Sequence, residues 1–139
     1  MMPGAGQLRE FAARYTAAWC SQNAVSVAAL YSRTGSLSVN SDAPAEGRKA
    51  IARAAQAFMT ALPDLQVVMD DLVIQGDRAA YHWTLSGTNT GPGGTGCQVR
   101  IGGFEVWKMG EDGLIAESRG HFDSAEYKRQ LQRGVPEIE

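Results

Sequence analysis

After Pro63 the hydrophobic rhythm of this chain changes, and that change limits the fold more than any single motif does. Ahead of it, apolar residues recur at three- and four-residue steps, the spacing of amphipathic helices. From Gln7 to Cys20 the series is Leu8, Phe11, Ala12, Tyr15, Ala18 and Trp19, with Tyr15 on the buried stripe. A short second helix is expected from about Ala24 to Tyr31, facing Val27, Leu30 and Tyr31 inward, with Ser32 to Gly35 as its break. Ser36-Leu37-Ser38-Val39-Asn40 alternates as a strand does, and Ser41-Asp42-Ala43-Pro44 supplies turn chemistry. A third helix is expected over Lys49 to Ala61, with Ile51, Ala54, Ala55, Phe58 and Leu62 on one face and Pro63 closing it.

Beyond Pro63 the runs are β-rich: Leu65 to Gln75, Arg78 to Asn89, Gln98 to Lys108, and a last stretch from Gly113 to Asp123. Gly76-Asp77 suits a hairpin turn, and Gly91-Pro92-Gly93-Gly94-Thr95-Gly96 reads as a mobile loop between adjacent strands. Ser124 can cap a short final helix carrying Tyr127 and Leu131, which Gly134-Val135-Pro136 ends. Helices first and antiparallel strands afterwards give an α+β fold in which one curved sheet wraps over the helices. A length of 139 residues suits one such domain over 1–139, with loose ends at 1–6 and 134–139.

Charge and cysteine usage exclude several functions. Thirteen basic residues against fifteen acidic ones leave no electrostatic footprint for nucleic acid or an anionic membrane. Cys20 and Cys97 are far apart and lack any CxxC or Cys/His spacing, so two reduced thiols are expected rather than a disulfide or a metal site. The start of the chain has no signal-peptide pattern and no apolar run approaches the roughly 20 residues of a membrane span, so a soluble cytoplasmic protein is expected. The glycine loop lacks a GK[ST] and leads into no helix, which argues against a nucleotide site.

The stretch Gly113–Asp123 carries the densest chemistry. It opens on the turn pair Asp112-Gly113 and places Ile115, Glu117, Arg119, His121 and Asp123 on one parity, with Leu114, Ala116, Ser118 and Phe122 on the other. Such a polar row is either a solvated face or the wall of a cavity. His121 shares the face of Asp123 and is close enough to pair with it or relay a proton near neutral pH. Arg119 and Glu117 either orient Asp123 or form an exposed ion pair worth about 0–1 kcal/mol. His82 and Trp83 are adjacent on one strand and must point to opposite faces. Tyr15, Trp19, Phe58, Tyr81 and Trp107 read as core residues, of which one or two can line a pocket. Asn40 is either a hydrogen-bonding site residue or a strand-ending turn residue.

The order of these elements, with Gly47-Arg48-Lys49-Ala50-Ile51, Pro63-Asp64-Leu65, Gly76-Asp77-Arg78, Gly87-Thr88-Asn89-Thr90-Gly91 and Asp112-Gly113-Leu114-Ile115, resembles the SnoaL-like polyketide cyclases of the nuclear transport factor 2-like superfamily. The resemblance runs from Leu8 to Gly134. It implies a cone-shaped α+β barrel, with N-terminal helices packed in a curved, mainly antiparallel sheet. It also implies a homodimer, no cofactor and no metal, and a small apolar carbonyl or polycyclic ligand.

In the cyclases a carboxylate near the end of the last strand acts as acid/base, a few residues before a Gln-Leu-Gly motif. Asp123 occupies that place, ahead of Gln130-Leu131-Gln132-Arg133-Gly134. Within an apolar cone its pKa should rise, suiting it to take and return a proton. The family's Gly-Thr-His-Thr-Gly reads here Gly87-Thr88-Asn89-Thr90-Gly91.

Gly103-Phe104-Glu105-Val106 and Arg119-Gly120-His121-Phe122-Asp123 are similar to the limonene-epoxide-hydrolase branch, where Asp123 and Asn40 would hold a water; Ser38 stands where that branch has a tyrosine. Arg14-Tyr15 resembles the ketosteroid-isomerase branch, in which the tyrosine donates to a developing enolate, but that branch's base would fall near Val39 or Asn40. The expected site is Asp123 and His121 as catalytic residues, with Tyr15, Asn40, His82, Trp107 and Arg119 toward substrate. A cyclase or isomerase leads, with an epoxide hydrolase and a non-catalytic binding or assembly domain on the same scaffold as alternatives.

Overall fold

The computed structural model describes residues 3–136. Helix α1 spans Ala5–Cys20 and α2 spans Ala24–Ala28; strand β1 runs Tyr31–Val39 and the short β2 is Ala45–Glu46. Helix α3 covers Arg48–Ala61 and is followed by β3 (Gln66–Gln75), β4 (Arg78–Thr88), β5 (Gln98–Met109), β6 (Ile115–Phe122) and α4 (Ser124–Arg133). The strands form one mixed sheet in the order β2-β1-β6-β5-β4-β3. Among the described residues only the β1–β6 pairing is parallel. The fold is α+β of the nuclear transport factor 2-like kind, as the resemblance implies.

One boundary moved. Tyr31, expected to end α2, instead begins β1, because Asn23 caps a helix that closes after Ala28. The Asn23 side chain accepts from the amides of Val25 and Ser26, and Ala29 and Leu30 complete the turn. Buried in β1, the Tyr31 ring then lies 6.1 Å from that of Tyr15. Of the loose ends expected at 1–6 and 134–139, Met1, Met2 and 137–139 lie outside the described residues, while Ala5 and Gly6 are helical.

The concave face of the sheet holds the core. Helix α1 contributes Leu8, Phe11, Tyr15 and Trp19, α3 contributes Ile51, Ala55 and Met59, and the strands answer with Leu72, Tyr81, Leu85, Val99, Ile101 and Trp107. Edge-to-face contacts tie Phe11 to Trp107 and Tyr15 to both Tyr81 and Trp107, while Tyr81 stacks on Trp107 at 4.8 Å.

The glycine loop, expected to be mobile, is hydrogen-bonded within itself and to α3. Gly91 donates to the Ala61 carbonyl at the end of α3, and Gly94 and Gly96 donate back within the loop. A side chain at Gly91 would overlap the Thr60 carbonyl, so its glycine is set by close approach to α3. Asn89, where the family motif has histidine, is buried and donates through Nδ2 to Thr95 Oγ1 and the Leu131 carbonyl. It fastens the loop to the end of α4.

Candidate functional site

Alternation on β4, β5 and β6 decides which side chains meet over the concave face. Tyr81, Trp83 and Leu85 of β4 stand opposite Glu105, Gly103 and Ile101 of β5, and Glu105 and Gly103 stand opposite Gly120 and Phe122 of β6. Together with Trp19 of α1, Phe58 of α3 and Tyr127 of α4, these residues other than Gly103 line a narrow cavity. About 50 Å³ of it admits the centre of a water molecule, and about 650 Å³ is free of atoms when the open mouth is counted. Its wall is almost wholly apolar, and among the described residues Glu105 is the one carboxylate that lines it.

Glu105 is buried, and its surroundings are specific. Tyr15 Oη donates to Glu105 Oε1 at 2.8 Å, Trp107 Nε1 at 3.0 Å and Ser118 Oγ at 2.8 Å. Since Tyr15 spends its only proton there, Tyr31 Oη donates to Tyr15 Oη, 2.8 Å away. Glu105 Oε2 accepts from none of the described residues, which leaves it to the cavity. Burial raises the Glu105 pKa above its ordinary value, and the donations from Trp107, Ser118 and Tyr15 offset that only in part. Burial likewise pushes the Tyr15 and Tyr31 phenols well up, the nearby Glu105 charge adding to it, so both stay protonated as donors.

The residues expected from the sequence are dispersed. Asp123 does not stand inside an apolar cone: it is exposed, and its Oδ1 caps α4 by accepting from the Glu126 amide at 3.0 Å. His121 is exposed on the convex face, where its ring lies 5.0 Å from that of Phe104, and His82 flanks Phe104 at 5.5 Å from the other side. Arg119 pairs with Glu117 at 2.9 Å on the same outer face. Asn40, in a left-handed backbone conformation, accepts from the Phe122 amide and so serves as a strand-ending residue. None of these five lines the cavity. Tyr15 and Trp107 stand directly behind Glu105 and hold it, so these two expected residues converge on the site without facing the cavity.

The polar row of the last strand is therefore a solvated face, and the reason is a bulge. Met109 pairs with Ile115 but Lys108 pairs with Glu117, leaving Ala116 extra in β6. Ile115 then shares the buried side with Ser118, Gly120 and Phe122 instead of with Glu117 and Arg119. Sequence reading missed Glu105, although a signal was present. Val99, Ile101, Gly103, Glu105 and Trp107 share one parity of β5, and a single carboxylate on an otherwise apolar parity is a site candidate.

Among the described residues no group of three or more His, Cys, Asp or Glu side chains could hold a metal ion, Cys20 and Cys97 are both free thiols, and no helix is long and apolar enough to cross a membrane. Several solved structures share the fold. A candidate SnoaL-like polyketide cyclase from Jannaschia sp. CCS1 superposes with a TM-score of 0.82 at 17% identity, covering 97% of this chain and 99% of its own. A protein of ketosteroid isomerase-like fold from Catenulispora acidiphila, in complex with trimethylamine, gives 0.77 at 14% identity over 94% of both chains. The epoxide hydrolase/cyclase-like enzyme SalBIII, of pyran ring formation in the polyether salinomycin, gives 0.72 at 17% identity over 85% of this chain and 92% of its own. No curated protein matches the chain significantly. The family model for SnoaL-like polyketide cyclases matches residues 9–131, which is most of the sequence and every strand of the sheet, and the chain belongs to that family.

Proposed function

We propose that this protein is a cofactor-independent enzyme of the cyclase or isomerase type, acting on an apolar carbonyl compound with Glu105 as its proton carrier. The observation that carries this reading is a buried carboxyl group with one oxygen held by three donors and the other left to an apolar cavity. Three donors on Oε1 fix the orientation of the carboxyl plane, and desolvation keeps the proton affinity of the group high. An apolar site can hold such an acid neutral so that it donates a hydrogen bond.

Both halves of a proton shuttle follow from this. Ionised, Oε2 takes a proton from the carbon beside a carbonyl, leaving an enolate; the enolate carbon then bonds to a second carbonyl carbon, whose oxygen collects the proton from Oε2. The apolar wall lowers the local dielectric, which strengthens each of these interactions. SalBIII and the Jannaschia protein are enzymes, or candidate enzymes, of cyclase type on the same fold, which is consistent with this chemistry.

The test needs no native substrate. Hydrogen–deuterium exchange beside the carbonyl of 2-tetralone, followed by NMR in deuterated buffer, is expected to be accelerated by the protein. Glu105→Gln keeps the shape and should reduce that acceleration by about 10²- to 10⁴-fold. Equal exchange with both proteins would remove Glu105 from the chemistry. Binding of the ketone without exchange would favour the second reading, a non-catalytic binding domain. The epoxide-opening alternative has less to stand on, because Asn40 and Asp123 are engaged with the amides of Phe122 and Glu126.

The expected homodimer belongs to the same proposal. The outer-face row His82, Phe104 and His121 offers a second copy an aromatic strip to cover. Sedimentation analysis of Phe104→Glu against the parent should show a shift toward monomer, and an unchanged mass distribution would place any interface elsewhere.

A further inference from the structure

Trp83 presents an anomaly within the cavity. Its indole Nε1 is buried and has no hydrogen-bond partner, the one such side-chain atom among the described residues. Leaving a donor in that condition costs about 1–3 kcal/mol. A packing residue of similar size, phenylalanine, would carry no such cost.

The indole is also held in position. Gly103 stands opposite Trp83 in the sheet, and a Cβ there would come within 2.6 Å of Trp83 Cζ2 and 2.8 Å of its Cη2. The missing side chain therefore makes the bed in which the ring lies against β5. Phe122 packs edge-on against it at 5.9 Å, and both rings line the cavity with Glu105. The pairing register sets the spacing: Tyr81 faces Glu105 and Trp83 faces Gly103, so Trp83 and Glu105 are diagonal neighbours on one face, roughly 7–8 Å apart at the backbone. A single bicyclic ring system spans that interval.

We propose that Trp83 Nε1–H is the second polar anchor of the cavity and selects ligands that carry a hydrogen-bond acceptor oxygen, a carbonyl or ether, one ring away from the group addressed by Glu105. This rests on the preceding reading in taking the cavity as the ligand site, but not on Glu105 being catalytic. Trp83 is a specificity residue here: the acceptor oxygen completes its N–H, and a hydrocarbon of the same outline leaves it unpaired. The substrate class narrows to flat, largely apolar compounds oxygenated at two positions on one face.

Two probes of nearly the same shape separate this from simple packing: 2-acetylnaphthalene, and 2-isopropenylnaphthalene, which replaces the carbonyl oxygen by a methylene. Binding is followed by calorimetry and by the indole N–H resonances in a proton–nitrogen NMR spectrum. The protein has three tryptophans, and the Trp83 signal is the one lost in Trp83→Phe. The ketone is expected to move that signal downfield and the alkene to leave it near its free position. Trp83→Phe should weaken the ketone about 2- to 10-fold, the worth of one hydrogen bond, and leave the alkene nearly unchanged.

Equal loss of both probes in Trp83→Phe, equal shifts with both, or no response of the Trp83 signal at saturating ketone would each overturn the proposal. The Glu105→Gln protein separates the two readings. If it and the parent show no difference in exchange while the ketone preference persists, the catalytic reading fails and the Trp83 anchor stands. If exchange depends on Glu105 while both probes bind alike, the reverse holds.

Discussion

Two glutamates on neighbouring strands have opposite fates. Glu105 of β5 lies on the concave face, buried, with its Oε1 held by Tyr15, Trp107 and Ser118. Glu117 of β6 lies on the convex face, partly exposed, opposite Lys108 of β5 and paired with Arg119 in an ion pair that water screens. The residue type is the same and the positions are less than a strand's length apart. What separates them is parity, and parity decides whether a carboxyl group becomes a tuned acid or a solvated charge. A row of charges is therefore weaker evidence of a site than one charge where an apolar residue belongs.

The largest effect that would break this contrast is on stability. Glu105→Ala strands the Tyr15, Trp107 and Ser118 donors in a dry core and should cost about 3 kcal/mol or more in urea unfolding. A loss below about 1 kcal/mol would place Glu105 in the same class as Glu117. The pH dependence sharpens the same point. Because folding raises the Glu105 pKa above its ordinary value of 4.5, the folded state binds the proton more tightly than the unfolded one. The stability this contributes is complete below about pH 4.5 and is lost as pH rises through the folded-state value. Glu105→Gln removes the titration, so parent and variant should diverge as pH increases from there, with the parent losing ground. A constant difference would mean that Glu105 titrates normally.

A smaller effect is expected at Asp123. Asp123→Ala should cost about 1 kcal/mol as a lost helix cap, whereas Asp123→Asn, which caps as well, should leave both stability and ketone exchange near the parent's. Loss of exchange in Asp123→Asn with the fold intact would return the chemistry to the end of the last strand. Smallest of all, Glu117→Ala should change the unfolding free energy by about 0–1 kcal/mol.

The fold was legible in the sequence because three helices precede Pro63 and four long strands follow it, and the turn residues at Gly76-Asp77 and Asp112-Gly113 stand between strands. Tyr31 was misplaced because its local pattern suits a helix end, whereas α2 closes after Ala28 and Tyr31 is buried against α1 as the first strand residue. The site was harder to read. Alternation from Ile115 to Asp123 is regular in the sequence, whereas the ladder absorbs an extra residue at Ala116, and a bulge of that kind has no compositional mark here. Asp123 ranked first by analogy of position, but the turn into α4 needs a cap, and that need holds its side chain at the helix end. Tyr15 and Trp107 were named for their size and stripe; what they hold became visible only when β5 laid Glu105 between them.

The order of the strands has a consequence for how the protein is made. Strand β6 lies between β1 and β5, and Val39 finds its partner Gly120 roughly eighty residues later in the chain. A ribosome adding about 5–20 residues per second leaves β1 with only the two-residue β2 beside it for several seconds. Through that interval one edge of β1 stays open to any other extended chain. A nascent chain stalled before Ile115 should therefore depend on chaperones, and a ribosome-bound series ending on either side of β6 should show protection from protease arising abruptly once Phe122 has emerged.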